Sequence, residues 1–152
     1  MRTIILCCVP IVTAILGYLF SARFAEEKDF WNNFEFWHKK IKSEISFTQN
    51  SLHEILSEEN DKDVFLSSAK AFFKNGITPA LNFLSEKENA FFNEYLHRLG
   101  TSDKESQIAF LNSMESELLE YVKKSNEKYE KFRPLYVKLG FLFGLILFIL
   151  VV

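Results

Sequence analysis

Cysteine is almost missing from this sequence. In 152 residues there are two, Cys7 and Cys8, side by side in an apolar run near the start. A disulfide framework is excluded on that count, and a middle region without cysteine is compatible with a reducing cytosol. An excess of positive charge is missing too. The 18 Lys and Arg against 20 Asp and Glu leave a formal net charge of -2, whereas a nucleic-acid binder would show a basic field. Strand signals are absent: there are no alternating runs of Val, Ile and Thr and no Asn-Gly hairpins. The five glycines are isolated from any strand–turn–helix context, so no phosphate-binding loop is encoded.

What the chain does have is unevenly placed. Its hydrophobic share of 48% is ordinary, but both ends are nearly free of charge and almost every charged residue lies between them. Thr3 to Phe20 carries no charge and as a helix would reach roughly 27 Å, near the hydrocarbon thickness of a bilayer. A cleaved signal peptide fits less well. Arg2 alone forms the basic start, and Ser21-Ala22-Arg23-Phe24-Ala25 lacks a small-x-small cleavage site. Leu6 before Cys7 is too large for a lipoprotein site. Leu139 to Val152 would span only about 21 Å. With Leu135, Tyr136 and Val137 added and Lys138 snorkelling, it approaches the minimum for a span. Gly140 and Gly144 form a G-x-x-x-G pair suited to close packing against a partner helix.

These features predict transmembrane helices at 1–21 and 135–152 and a helical domain at 22–134. Lys123, Lys124, Lys128, Lys131, Arg133 and Lys138 precede the second apolar segment, and Arg23, Lys28, Lys39 and Lys40 follow the first. The positive-inside rule then places the domain in the cytoplasm of a chain held in the cell membrane, with both termini outside.

The middle region is expected to be all-α, a helical bundle. From Ala22 to Phe47, Phe30, Phe34, Trp37, Ile41 and Ile45 recur at spacings of three and four. Ser51 to Ser57 predicts a short helix. Asp61 or Asp63 can cap the next, with Val64, Phe65, Ala69, Phe72 and Phe73 inward and Asn75-Gly76 as its stop. Thr78-Pro79 predicts another start, carrying Leu81 and Leu84. A stretch from Glu86 presents Phe92, Tyr95, Leu96 and Leu99 before Gly100. Ser102-Asp103-Lys104-Glu105 reads as a capping box with Ser102 as N-cap. The helix it opens carries Ile108, Leu111, Met114 or Leu118, Val122, Tyr129 and Phe132. Pro134 is expected to kink it or end it.

Candidate chemistry is sparse. Three scattered histidines suggest no Ser-His-Asp arrangement. Glu35-x-x-His38 and Glu94-x-x-His97 match the Glu-x-x-His element of di-iron helical bundles. On helical wheels these side chains fall away from the apolar faces, toward solvent, and His53 beside Glu54 reads as a surface pair. No cofactor, metal or small-molecule substrate is therefore expected. The run Tyr121 to Arg133 mixes both charge signs, as a solvated helix or a docking surface would.

Two stretches resemble the stage III sporulation protein AB family. Leu96 to Gln107 (LHRLGTSDKESQ) looks like its Leu-Gly-x-Ser-Asp-x-x-x-Gln element, with Leu99, Gly100, Ser102, Asp103 and Gln107 in register and Glu105 inside it. A long charged helix and a terminal segment opening on Leu139-Gly140 follow, as in the family. Ile41 to Leu56 matches a second element more loosely: Glu44, Ile45, Leu52, Glu54 and Leu56 fit, Phe47 stands for a tyrosine, and Asn50-Ser51 replaces Thr-Pro. The resemblance implies a GspF-like helical fold and a non-catalytic place in the channel complex joining mother cell and forespore. It also implies a traffic ATPase of the same operon and other channel subunits as partners. Alternatives are an unrelated membrane-tethered adaptor and a di-iron metalloenzyme.

Overall fold

The computed structural model describes residues 2–47 and 63–151, the side chains of 2–11, 14, 148, 150 and 151 excepted. The expected helix at Ser51 to Ser57, the His53–Glu54 pair and Asp61 lie outside the described residues. Four helices make up the rest: α1 (Arg2–Phe47), α2 (Val64–Asn75), α3 (Glu86–Arg98) and α4 (Lys104–Val151). The all-α expectation holds, with no strand among the described residues. The chain divides into two compact units, one of Asp29–Lys123 and one of Met1–Lys28 with Lys124–Val152.

In the unit Asp29–Lys123 the core is aromatic. Phe30, Trp31, Phe34, Trp37 and Ile41 of α1 are all buried, so the stripe read from spacing is right but too narrow. Adjacent pairs at 30/31 and 37/38 widen it to the broad face of a globular helix. Phe34 stacks on Phe65 of α2 at 4.7 Å and meets Tyr95 of α3 edge-on at 4.6 Å. Trp31 stacks on Tyr121 of α4 at 4.7 Å. Such pairs each add about 0.5–1.5 kcal/mol beyond burial of the rings.

Asp63 starts α2: extended itself, it accepts the Leu66 N–H at 3.2 Å. Its other carboxylate oxygen accepts the Trp37 indole N–H at 2.6 Å, and both residues are buried. This bond fixes the rotation of α2 about its axis. Leu66 therefore faces the core with Phe65 and Ala69, while Val64 and Phe73, expected inside, are exposed. Gly76 ends the helix at φ 72°, its N–H donating to Phe72 O at 2.7 Å, as the Asn-Gly signal implied.

No helix starts at Thr78-Pro79. Residues 77–85 form a connector without helix because Asn89, one turn into α3, takes over its backbone groups. The Asn89 amide accepts from Leu81 N at 3.0 Å and donates to Leu81 O, Leu84 O and Ser85 O at 3.1–3.2 Å. Ser85 then opens α3 with a capping box to Glu88.

In the unit Met1–Lys28 with Lys124–Val152, α1 and α4 meet at glycines. A Cβ on Gly140 would stand 2.6 Å from Thr13 O, and one on Gly17 would stand 2.6 Å from Tyr136 O. Only glycine allows backbones this close. Phe24 lies between Phe132 and Tyr136, 5.6 Å from each, and buried Glu27 accepts from Lys128. These contacts hold α4 on both sides of Pro134, which does not end the helix, the second of the two outcomes expected of it.

The expectation of two transmembrane helices is overturned. Among the described residues no helix is long and apolar enough to cross a membrane. On α1 the described apolar residues from Val12 to Phe20 give way within a turn to Arg23, Glu26, Glu27 and Lys28. On α4 the apolar run starts only after Lys131, Arg133 and Lys138. Each described run falls short of the ~20 apolar residues that a span needs. The localisation deduced from them, a cell-membrane chain with a cytoplasmic middle and external termini, falls with them.

Candidate functional site

The residues of the family-like motif come together where α3 turns into α4. Leu99 is buried and its N–H closes α3 on Tyr95 O at 3.0 Å. Gly100 follows at φ 77°, a value that favours glycine. Gln107, one turn into α4 and buried, reaches back across the corner. Its Oε1 accepts from Gly100 N at 3.0 Å and from the Ser102 hydroxyl at 3.4 Å.

Asp103 caps α4, accepting the Ser106 N–H at 3.1 Å, and its backbone carbonyl takes the Gln107 N–H at 2.8 Å. The bonds from Ser106 hold the Asp103 carboxyl below its usual range. The capping box expected with Ser102 as N-cap and Glu105 as its reciprocal partner is therefore displaced by one residue: Asp103 is the cap, and exposed Glu105 only adds negative charge to the first turn. Thr101 donates to Arg98 O at 3.0 Å, and Lys104 reaches Ser46 O on α1 at 2.8 Å. Five of the six motif positions thus serve one rigid corner.

A family model described as stage III sporulation protein AB matches residues 67–152, more than half of the chain. The chain belongs to that family. No curated protein and no solved structure matches it significantly. The matched stretch takes in most of α2, the connector, α3, the corner and α4. Membership carries a role in stage III of sporulation, and the family is described as a sporulation protein family rather than by an enzymatic activity.

In this family member the two Glu-x-x-His elements do not converge. Among the described residues no group of three or more His, Cys, Asp or Glu could hold a metal ion. Glu94 is exposed and pairs with Arg98 at 3.5 Å, and Glu35 pairs with Lys39. His97 lies edge-on against Phe72 at 4.7 Å. His38 differs from the solvent-facing expectation: it is 1% exposed, within the core face of α1. Its neighbours at spacings of three, four and seven, Trp31, Phe34 and Ile41, were the available signal. Burial pushes its imidazole below the ordinary 6.5, a tendency that Glu115 opposes.

Gly140, expected to pack against a partner helix, finds one in the same chain at Gly17, a glycine that spacing did not single out. Gly144 is buried on α4. Between the connector and α3 an open cleft is lined by Gly76, Ile77, Pro79, Asn93 and His97. Ile77 is 72% exposed there, and Thr78 donates to Asn93 across one edge at 2.6 Å. The cleft brings together a bare isoleucine, amides, and the side chains of Glu86 and His97.

Proposed function

We propose that the chain is a non-catalytic platform subunit of the channel complex between mother cell and forespore, where its helical unit docks a traffic ATPase encoded in the same operon. The observation that carries this reading is membership of the stage III sporulation protein AB family over residues 67–152. Two features support it. The family motif is spent on a rigid α3–α4 corner rather than on a reactive constellation, as suits a part whose task is to hold shape. The all-helical unit, with its aromatic core and mixed-charge surface, also suits a GspF-like platform, and other channel subunits are further partners in this scheme. An affinity-tagged chain purified from sporulating cells should bring down the ATPase, and a clean deletion should arrest development after engulfment. Normal sporulation in the deletion strain would overturn the proposal.

A further inference from the structure

His38 sits where a charge cannot be accommodated. It is 1% exposed, and neither ring nitrogen has a hydrogen-bond partner among the described residues. The Tyr95 ring of α3 lies 5.8 Å away, and its hydroxyl is also buried without a partner. Beside them, Lys42 of α1 and Glu115 of α4 form an ion pair at 2.6 Å that ties the two helices together. The charged groups acting on the ring are Glu35, Lys39 and Lys42 on its own helix and Glu115 on α4. Glu115 and Glu35 are already engaged with Lys42 and Lys39, so a proton on His38 would find no free counter-charge there. On α2, Asp63 is committed to Trp37.

We propose that His38 is an acid-sensitive latch: when its ring takes up a proton, α1 loosens from α3 and α4 within the unit Asp29–Lys123.

The neutral ring is tolerated because its aromatic neighbours solvate it as a hydrophobe. The imidazolium carries two N–H donors and a full charge into a site where neither ring nitrogen has a hydrogen-bond partner, an unfavourable arrangement in a low-dielectric interior. Burial holds the folded-state ring below its ordinary 6.5. In the unfolded chain the same ring takes its proton near 6.5. Unfolded molecules therefore bind more protons below that pH. The stability tied to this ring is complete above 6.5 and is lost as pH falls toward the folded value. The Asp103 and Glu115 carboxyls are held below their ordinary values, so their contributions are lost only in stronger acid. The window from pH 7.5 to 5.5 excludes those two carboxyls.

The test is urea unfolding of the full chain, followed by circular dichroism at pH 7.5, 6.5 and 5.5. The wild type and exposed-site control His97→Gln should show an unfolding constant that rises up to about tenfold across the window. His38→Phe and His38→Leu should abolish the rise. A wild type with no pH response, or a response that persists in both His38 variants, overturns the latch. Should neither variant fold, nitrogen NMR of the wild-type ring decides. A neutral His38 imidazole in the folded chain at pH 6 supports it, and an imidazolium there overturns it.

Discussion

Asp63 shows how much a single side chain can settle. Its two carboxylate oxygens do different jobs, one capping α2 and the other accepting the buried Trp37 indole N–H. Asp63→Ala removes the cap, worth about 1 kcal/mol, and leaves a buried donor unpaired, worth about 1–3 kcal/mol more. A loss of roughly 2–4 kcal/mol in urea unfolding is expected on those two counts. Trp37→Phe should recover the second part of that loss when combined with Asp63→Ala. The cap was legible in the sequence, because an Asp before an apolar helical run is a local signal. The indole bond was not, because it joins residues 26 positions apart. His38 failed in the same way: on a wheel centred near Trp37 and Ile41 it falls off axis, and only the pairing with Trp31 and Phe34 shows how wide the buried face is.

Between elements, side chains at a distance outweigh local signals. Thr78-Pro79 is a good helix start by its own chemistry. It loses to Asn89, whose amide occupies the backbone groups of Leu81, Leu84 and Ser85. Asn89→Ala should free the connector. Amide exchange at Leu81 should then speed by about tenfold or more, as expected when a hydrogen bond of about 1–2 kcal/mol is lost. At the crossing of α1 and α4, Gly140→Val would drive a side chain into a backbone carbonyl, which cannot swing away. Overpacking of this kind costs about 1–3 kcal/mol, and faster trypsin cleavage after Lys138 would report it. Pro134 works in the opposite direction. It sits inside a continuous helix and lacks the N–H to bond one turn back. Pro134→Ala should raise the thermal midpoint, since an interior proline costs up to about 3 kcal/mol relative to alanine. The G-x-x-x-G spacing correctly marked Gly140 as a close-approach site. It could not say that the other helix belonged to the same chain, because spacing within one helix carries no information about which helix lies opposite, although Thr13, Gly17 and Ser21 repeat small residues at the same interval of four.

For the molecule as a whole, helical periodicity without strand signals pointed to the helical class, and the Leu-Gly-x-Ser-Asp-x-x-x-Gln element pointed to the family that the match over residues 67–152 shows. Both rest on near-neighbour patterns that a single chain displays openly. The apolar ends were read by length and charge alone, and that reading did not survive: the described helices are too short in apolar residues to cross a membrane. The α3–α4 corner carries the residues by which the family is recognised, and those residues stabilise a turn. Gln107→Ala, which deprives Gly100 N of its acceptor, should lower stability by about 1–2 kcal/mol. If the proposed docking of an ATPase holds, the variant should still co-purify with it wherever the unit folds.

Both tryptophans of the chain, Trp31 and Trp37, are buried in the same unit, one stacked between Phe34 and Tyr121 and the other bonded to Asp63. Their emission should lie toward the blue in the folded protein and move to the red when water reaches the indoles. Energy transfer from Tyr95 and Tyr121 should feed the same two acceptors. The chain therefore carries an intrinsic optical probe at the seam between α1 and its neighbours, with no label to perturb it. Binding of a partner that opens or tightens that seam could be followed in solution by colour alone.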